Sequence, residues 1–383
     1  MYLLYGVHLF NYYIAGISFA DIFLFLLMLY VLYKNKKISI KKRHLMLIYF
    51  WLVTGVFGIL NISESYFSIN NFLFAYLKLS FYILCILIIP PYLAKNIDKT
   101  NKIIINSFVF ISLLGVYQLI AHFLFPSLPY SLTHELISSR TGYDSMISYG
   151  GQFRIRSIYS EPAHFAIYLN ILYAYLLHSN VKLNKWIHFL FVIVVTLTFS
   201  MSGIALMIIN YLIFLFRMNL FSVRTIIYSI AFLILSVFIL SNDYVWRRVN
   251  RIVTLTETSG SVRLLGGFEL SQYFPFYGVG IGNLENYYSS LTVPLMYVTS
   301  GQLHNIIPVI IGISGWIGLF VFLLYILSYF KLNKGLFIFL IGSFFAWGYF
   351  NAPPFWFFLI LFEVLKERES RKALNFGEEH ISL

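Results

Sequence analysis

Apolar stretches of about 20 residues recur along almost the whole chain, and this one feature leaves few folds open. A helix of that length crosses the ~30 Å hydrocarbon core of a bilayer. No water in that core can satisfy backbone N–H and C=O groups, so a spanning segment closes its own hydrogen bonds by winding into a helix. Only 11% of the 383 residues are charged, whereas a soluble domain carries roughly 25%. Mean hydropathy is +0.79. These features predict an all-α polytopic integral membrane protein, one membrane domain over residues 1–383, with about eleven transmembrane helices, or twelve if the N-terminus contributes one.

The expected spans cover residues 15–33, 44–60, 72–94, 103–125, 162–177, 225–240 and 304–330. Residues 186–216 are broken at Ser200-Met201-Ser202-Gly203, which reads as two short helices joined by a tight turn. Residues 336–365 are broken at Asn351-Ala352-Pro353-Pro354, which reads as a last hairpin. Residues 2–13 are either an interfacial helix or half of a first hairpin. The N-terminal apolar segment lacks a basic n-region and is too long for a cleavable signal peptide. The single cysteine, Cys85, lies within a span and reads as a small buried hydrophobe.

Charge then orients the spans. Of the lysines, all but Lys78 fall in short loops at residues 34–43, 95–102, 178–185, 217–224 and 331–334 or in the tail after residue 365. By the positive-inside rule this set is cytoplasmic, with residues 366–383 as a cytoplasmic tail. The net charge of +12 is thereby assigned to topology rather than to nucleic acid. The opposite set consists of a short loop at 61–71 and two large extracytoplasmic loops, 126–161 and 241–305. Its basic residues are all arginine: Arg140, Arg154, Arg156, Arg247, Arg248, Arg251 and Arg263. Topology requires no arginine there. Planar, bidentate recognition of phosphate or carboxylate favours it. The same loops hold Glu135, Asp144, Glu161, Asp243, Glu257, Glu269 and Glu285, so the arginines are either anion ligands or members of loop ion pairs.

Several chemistries lack their residues. There is no HExxH, no cysteine pair and no close acidic triad in the outer loops, so no metal is expected. No phosphate-binding loop with Lys-Ser/Thr is present, and Gly278-Val-Gly280-Ile-Gly282 follows no strand, so no nucleotide cofactor is expected either. Two outward clusters remain. The first runs from Gly150 through Arg154, Arg156 and Ser160-Glu161-Pro162 to His164. There Pro162 fits the first turn of a helix and Ser160 fits its cap. A helix N-terminus beside two arginines can hold an anion, and Glu161 can pair with either arginine. The second cluster joins Ser259-Gly-Ser-Val-Arg263, the glycines at 278–282 and His304-Asn305. Glycine turns between Arg263 and His304 would let the two meet. A neutral histidine there is either a general base or a structural residue at a helix start.

In these motifs and their order the chain resembles the O-antigen polymerase and O-antigen ligase superfamily of bacterial envelope glycosyltransferases. The segments that carry the resemblance are the arginine-containing run into Glu161-Pro162, Thr198-Phe-Ser-Met-Ser-Gly203, Ser259-Gly-Ser-Val-Arg263, the glycine cluster, and His304-Asn305 with Gly312, Gly315 and Gly318. It covers most of the chain in architecture. Where relatives often carry Ser-Arg, this chain has Ser202-Gly203. The resemblance implies transfer of glycan from an undecaprenyl-diphosphate-linked oligosaccharide donor to a hydroxyl, at the periplasmic face of the bacterial inner membrane, without metal. In a polymerase the acceptor is another lipid-linked repeat unit; in a ligase it is the lipid A core. It further implies that Arg154, Arg156 and Arg263 bind diphosphate, that His304 is the catalytic base or orients the acceptor, and that Glu161 is a second candidate base. A chain-length regulator is an implied partner beside the lipid bilayer, and Tyr273, Phe274, Phe276, Tyr277, Tyr287 and Tyr288 could stack on sugars or line the interface. The modest outer loops favour the polymerase. A flippase or other lipid-linked oligosaccharide carrier is the third reading. It requires charges deep in many helices, and here only Asp21 and Lys78 interrupt spans.

Overall fold

The computed structural model describes residues 1–10, 12–14, 17–35, 40–125, 153–179, 181–217, 246–247, 250, 254, 265–293, 295, 298, 303–330, 333–346, 348 and 350–379. Within them the chain is helical almost throughout, so the all-α membrane fold stands. The helices are α1 (Phe19–Asn35), α2 (Lys42–Leu60), α3 (Ile69–Lys95), α4 (Ile97–Leu124), α5 (Pro162–His178), α6 (Lys185–Leu197), α7 (Met201–Arg217), α8 (Gly267–Ser271), α9 (Leu284–Ser290), α10 (Ile306–Leu327), α11 (Lys334–Ala346) and α12 (Pro353–Glu379). Of these α2, α3, α4 and α10 are long and apolar enough to cross a membrane by length and composition.

Every expected span except 225–240, which lies outside the described residues, falls on one of these helices. The N-terminus supplies no further helical span. Residues Tyr2–His8 form a 3-10 helix, followed by a short hairpin of Tyr13–Ile14 against Ile17–Ser18. The break at Ser200 is a real turn: α6 ends at Leu197, Phe199 takes a positive φ of 45°, and α7 starts at Met201. The break at Pro353 is real too, because the two prolines open α12, where a missing N–H costs nothing. That helix then continues to Glu379, well into the segment read as a tail.

The chain gathers into two compact units. One comprises Met1–Val7, Asp21–Thr100 and Thr258–Leu383. In it α10 packs along α2 and α12 along α3. A buried charged network ties these helices at one end. Glu363 is fully buried and takes a forked contact from Arg43, whose Nη2 lies 2.7 Å from Oε2 and whose Nε lies 2.9 Å from the same oxygen. Tyr329 donates to Glu363 Oε1 at 2.7 Å, and Arg43 also reaches Glu367 at 2.8 Å. Lys41 closes on Glu367 at 2.6 Å. A second ion pair joins α1 to α3, with Lys78 Nζ 3.1 Å from Asp21 and the Tyr82 hydroxyl donating to the same carboxylate at 2.7 Å.

The other unit comprises His8–Ala20 and Asn101–Glu257. Its centre is α5, buried along nearly its whole length. Mid-helix Asn170 donates to the Gly203 carbonyl at 3.0 Å and receives Asn210 Nδ2 at 3.0 Å, so a polar pin fastens α5 to α7. A Cβ at Gly203 would collide with that of Ala166, so the close approach of α5 and α7 requires glycine at this position.

Candidate functional site

The second unit positions Arg154, Arg156 and Glu161 in one continuous segment, residues 153–161, that leads into α5. Ser157 holds the segment's turn at φ 54°, a left-handed conformation uncommon for a residue with a Cβ. Gln118 of α4 pins that turn. Its Oε1 accepts from the backbone N–H of Arg156 (3.0 Å) and of Ser157 (2.6 Å), and its Nε2 donates to the Ser157 carbonyl (2.8 Å). Ser157 Oγ donates to the Ile111 carbonyl of the same helix at 2.7 Å. The turn is thus docked by four bonds onto one helix, and the arginines on either side of Ile155 are aimed by it.

Both arginines are buried, Arg156 almost completely. Arg154 Nε donates to the Thr198 carbonyl at 2.9 Å, at the C-cap of α6, where the helix dipole favours a cation. Arg156 Nη1 donates to the Ser160 carbonyl at 3.2 Å. Each guanidinium thus donates to a backbone carbonyl. Among the described residues the ion-pair partner of the Glu161 carboxylate is His164, and the alternative pairing with Arg154 or Arg156 is absent.

The cap differs from the expected one as well. Glu161, not Ser160, occupies the N-cap in extended conformation (φ −134°, ψ 147°), and no side chain caps the first turn. Ser160 sits one residue too early, so its hydroxyl turns to His164 Nδ1 at 3.1 Å. The other ring nitrogen, Nε2, lies 4.0 Å from Glu161 Oε2. Pro162 takes the first helical position, as expected. Ser160, Glu161 and His164 thus form a half-buried group at the helix mouth. The sequence reading named His164 without a role and missed Gln118; the one available signal for Gln118 was a carboxamide inside the apolar span 103–125.

His304 belongs to the other unit and immediately precedes α10. Asn305 is the N-cap of α10, its Oδ1 accepting from the Ile307 amide at 3.0 Å. Gly348 packs so tightly here that a Cβ would collide with the Leu303 carbonyl and the His304 backbone. Arg263 lies outside the described residues, as do Arg140, Arg248 and Arg251.

The glycine cluster forms turns, as expected, but packed ones. Gly278, Gly280 and Gly282 all have positive φ (77°, 86° and 85°), and the loop is wedged into a break in α10. At Gly315 (φ 66°, ψ −174°) that helix is interrupted. The loop supplies the bonds the break removes: the Val279 amide donates to the Gly312 carbonyl at 2.6 Å, and the Trp316 amide donates to the Phe276 carbonyl at 3.2 Å. A Cβ on Gly278 would stand 2.6 Å from that Gly312 carbonyl. Asn61 at the end of α2 and Asn283 hold the loop's two ends, donating to the Gly278 carbonyl (3.2 Å) and accepting from the Ser68 amide (2.7 Å).

No family model and no curated protein matches the sequence. The site's chemistry therefore stands on the residues themselves.

Of the six aromatic residues read as sugar platforms, Phe274 is buried against Tyr287, and the Tyr287 hydroxyl donates to the Tyr273 carbonyl. Burial pushes the phenol of Tyr287 above its ordinary range, and that of Tyr66, edge-on to it, likewise. Only Tyr273 and Phe276 present large exposed faces. Among the described residues no cluster of histidine, cysteine or carboxylate side chains could hold a metal ion.

Proposed function

We propose that the chain is a repeat-unit polymerase of a bacterial surface polysaccharide, a glycosyltransferase of the inner membrane that works at the periplasmic face. The donor is an undecaprenyl-diphosphate-linked oligosaccharide and the acceptor a hydroxyl of a second lipid-linked repeat unit; a chain-length regulator is a fitting partner. One observation carries this reading. A cation and an acid–base group share one turn, since Arg156 donates to the carbonyl of Ser160, whose hydroxyl meets His164 beside Glu161. Glycosyl transfer from a diphosphate needs both: positive charge for the leaving group and a proton acceptor for the attacking hydroxyl. Arg154, Arg156 and Arg263 are proposed diphosphate ligands, and Glu161 and His304 proposed groups for the acceptor.

A carrier is the alternative reading, and a carrier would fail on changes at Asp21 or Lys78, which lie 3.1 Å apart as an ion pair.

Deleting the gene in its own host and restoring it separates the outcomes. A surface glycolipid with a single repeat on the core, turned back into a ladder by the wild type, is the expected result. Bare core with lipid-linked polymer accumulating would replace the polymerase by a ligase. Bare core with no outward-facing lipid-linked glycan would replace it by a carrier.

A further inference from the structure

We infer that the hydroxyl of Tyr159 is a further ligand of the lipid diphosphate, donating a hydrogen bond to one of its oxygens together with Arg156. This rests on the glycosyl-transfer reading above, which supplies the ligand. Tyr159 lies in the segment that leads into α5, two residues before Glu161. Its amide donates to the Arg156 carbonyl at 3.0 Å, in the turn that Gln118 clamps. The side chain is completely buried, and its hydroxyl has no hydrogen-bond partner among the described residues. The neighbouring phenol gives the contrast, since the Tyr168 hydroxyl meets His8 Nδ1 at 2.7 Å. Leaving a buried hydroxyl unpaired costs the desolvation of that group. The hydroxyl is not needed for packing, because the ring alone makes the contacts. Phe10 lies 4.9 Å from it between centroids, Phe165 stacks at 5.5 Å and Tyr168 stands at 5.6 Å. A phenylalanine would fill the same space and avoid the cost.

The surroundings suit an anion with oxygen acceptors. Burial raises the Tyr12 phenol above its ordinary range, and the nearby Arg156 guanidinium acts against that rise. Burial holds the Tyr159 phenol well above its ordinary range, and the phenols of Tyr168 and Tyr12 add to the effect. Arg156 and Tyr159 thus share Tyr12 as a neighbour, and Tyr159 stays protonated as a standing donor. A neutral donor near a guanidinium fits a diphosphate oxygen, where the hydrogen bond is charge-assisted. That bond strengthens as charge develops on the leaving group. The proton stays on Tyr159 throughout, and no bond to its oxygen forms. Phe10 is the cover: its ring also lies 5.0 Å from that of Tyr168, and its carbonyl accepts from Ser18. The ligand enters as Phe10 moves aside.

The test uses the full chain in lipid nanodiscs, with undecaprenyl diphosphate as the probe and undecaprenol, the same lipid without phosphate, as its control. Without ligand, Tyr159→Phe should unfold at the wild-type temperature or above it, because it removes an unpaired group and keeps the ring. It should bind undecaprenyl diphosphate about 10-fold more weakly, the scale of one hydrogen bond to a charged group. Undecaprenol should bind both forms alike. On the lipid-linked repeat unit the variant's kcat/KM should fall by about 10-fold. Undiminished binding of undecaprenyl diphosphate by Tyr159→Phe would overturn the inference alone, as would an equal loss for undecaprenol. A lower unfolding temperature for the ligand-free variant would overturn it too, since the hydroxyl would then be paired with internal water. A wild type that binds no undecaprenyl diphosphate and makes no polymer would remove the glycosyl-transfer reading and the inference with it.

Discussion

One carboxamide decides the geometry of the turn that leads into α5. Gln118 satisfies three backbone groups at the left-handed Ser157, and no other described side chain is placed to replace it. Gln118→Leu keeps the volume and removes all three bonds, leaving buried backbone groups unsatisfied at about 1–3 kcal/mol each. Thermal unfolding in detergent should fall by several degrees and polymer formation should be lost with it; an unchanged unfolding temperature would show that the turn holds without its clamp. Residues of this kind are hard to read from sequence. A single glutamine in an apolar stretch carries no partner with it, and its partners lie 38 and 39 positions away. The arginines were legible because they depart from the lysine pattern. Their carbonyl partners were not, since backbone acceptors leave no trace in the sequence. The same holds for Ser160, whose type fits a cap and whose position, one residue early, sends the hydroxyl to His164 instead.

At the scale of elements, hydropathy located nearly every helix, because the bilayer demands length and apolarity from each one. It could not see that α10 is broken. Gly312, Gly315 and Gly318 suggested close helix approach, and Gly278–Gly282 suggested turns; that the two glycine sets complete each other's hydrogen bonds is a tertiary fact. Unpaired backbone groups at membrane depth are tolerated only where protein covers them, and the wedged loop supplies that cover. The charged network at the α2–α12 contact was equally hidden, since Arg43 and Glu363 are separated by most of the chain. Glu363→Ala leaves Arg43, buried in part, without its forked partner, and breaking such a pair costs about 3–5 kcal/mol. The unfolding temperature should drop strongly for this variant. The double change Arg43→Met with Glu363→Leu should recover much of the loss, and a double variant as unstable as Glu363→Ala would argue against the pair as the cause.

For the whole molecule, composition pointed to the all-helical membrane class, and lysine placement predicts a side for each loop. The functional reading depends on chemistry that composition cannot supply, namely two buried arginines and a serine–histidine–glutamate group in one short segment. His304 belongs to the other compact unit and Arg263 lies outside the described residues, so the reading stands on the segment 153–164. The central claim is polymerisation from a lipid diphosphate without metal or nucleotide. Its most direct measurement is an incubation of the purified chain in nanodiscs with the lipid-linked repeat unit, in excess chelator and without nucleotide sugar. The account predicts a ladder of polymer with one lipid diphosphate released per linkage formed. Polymer that appears only with divalent metal or nucleotide sugar, or no linkage at all under either condition, would contradict it.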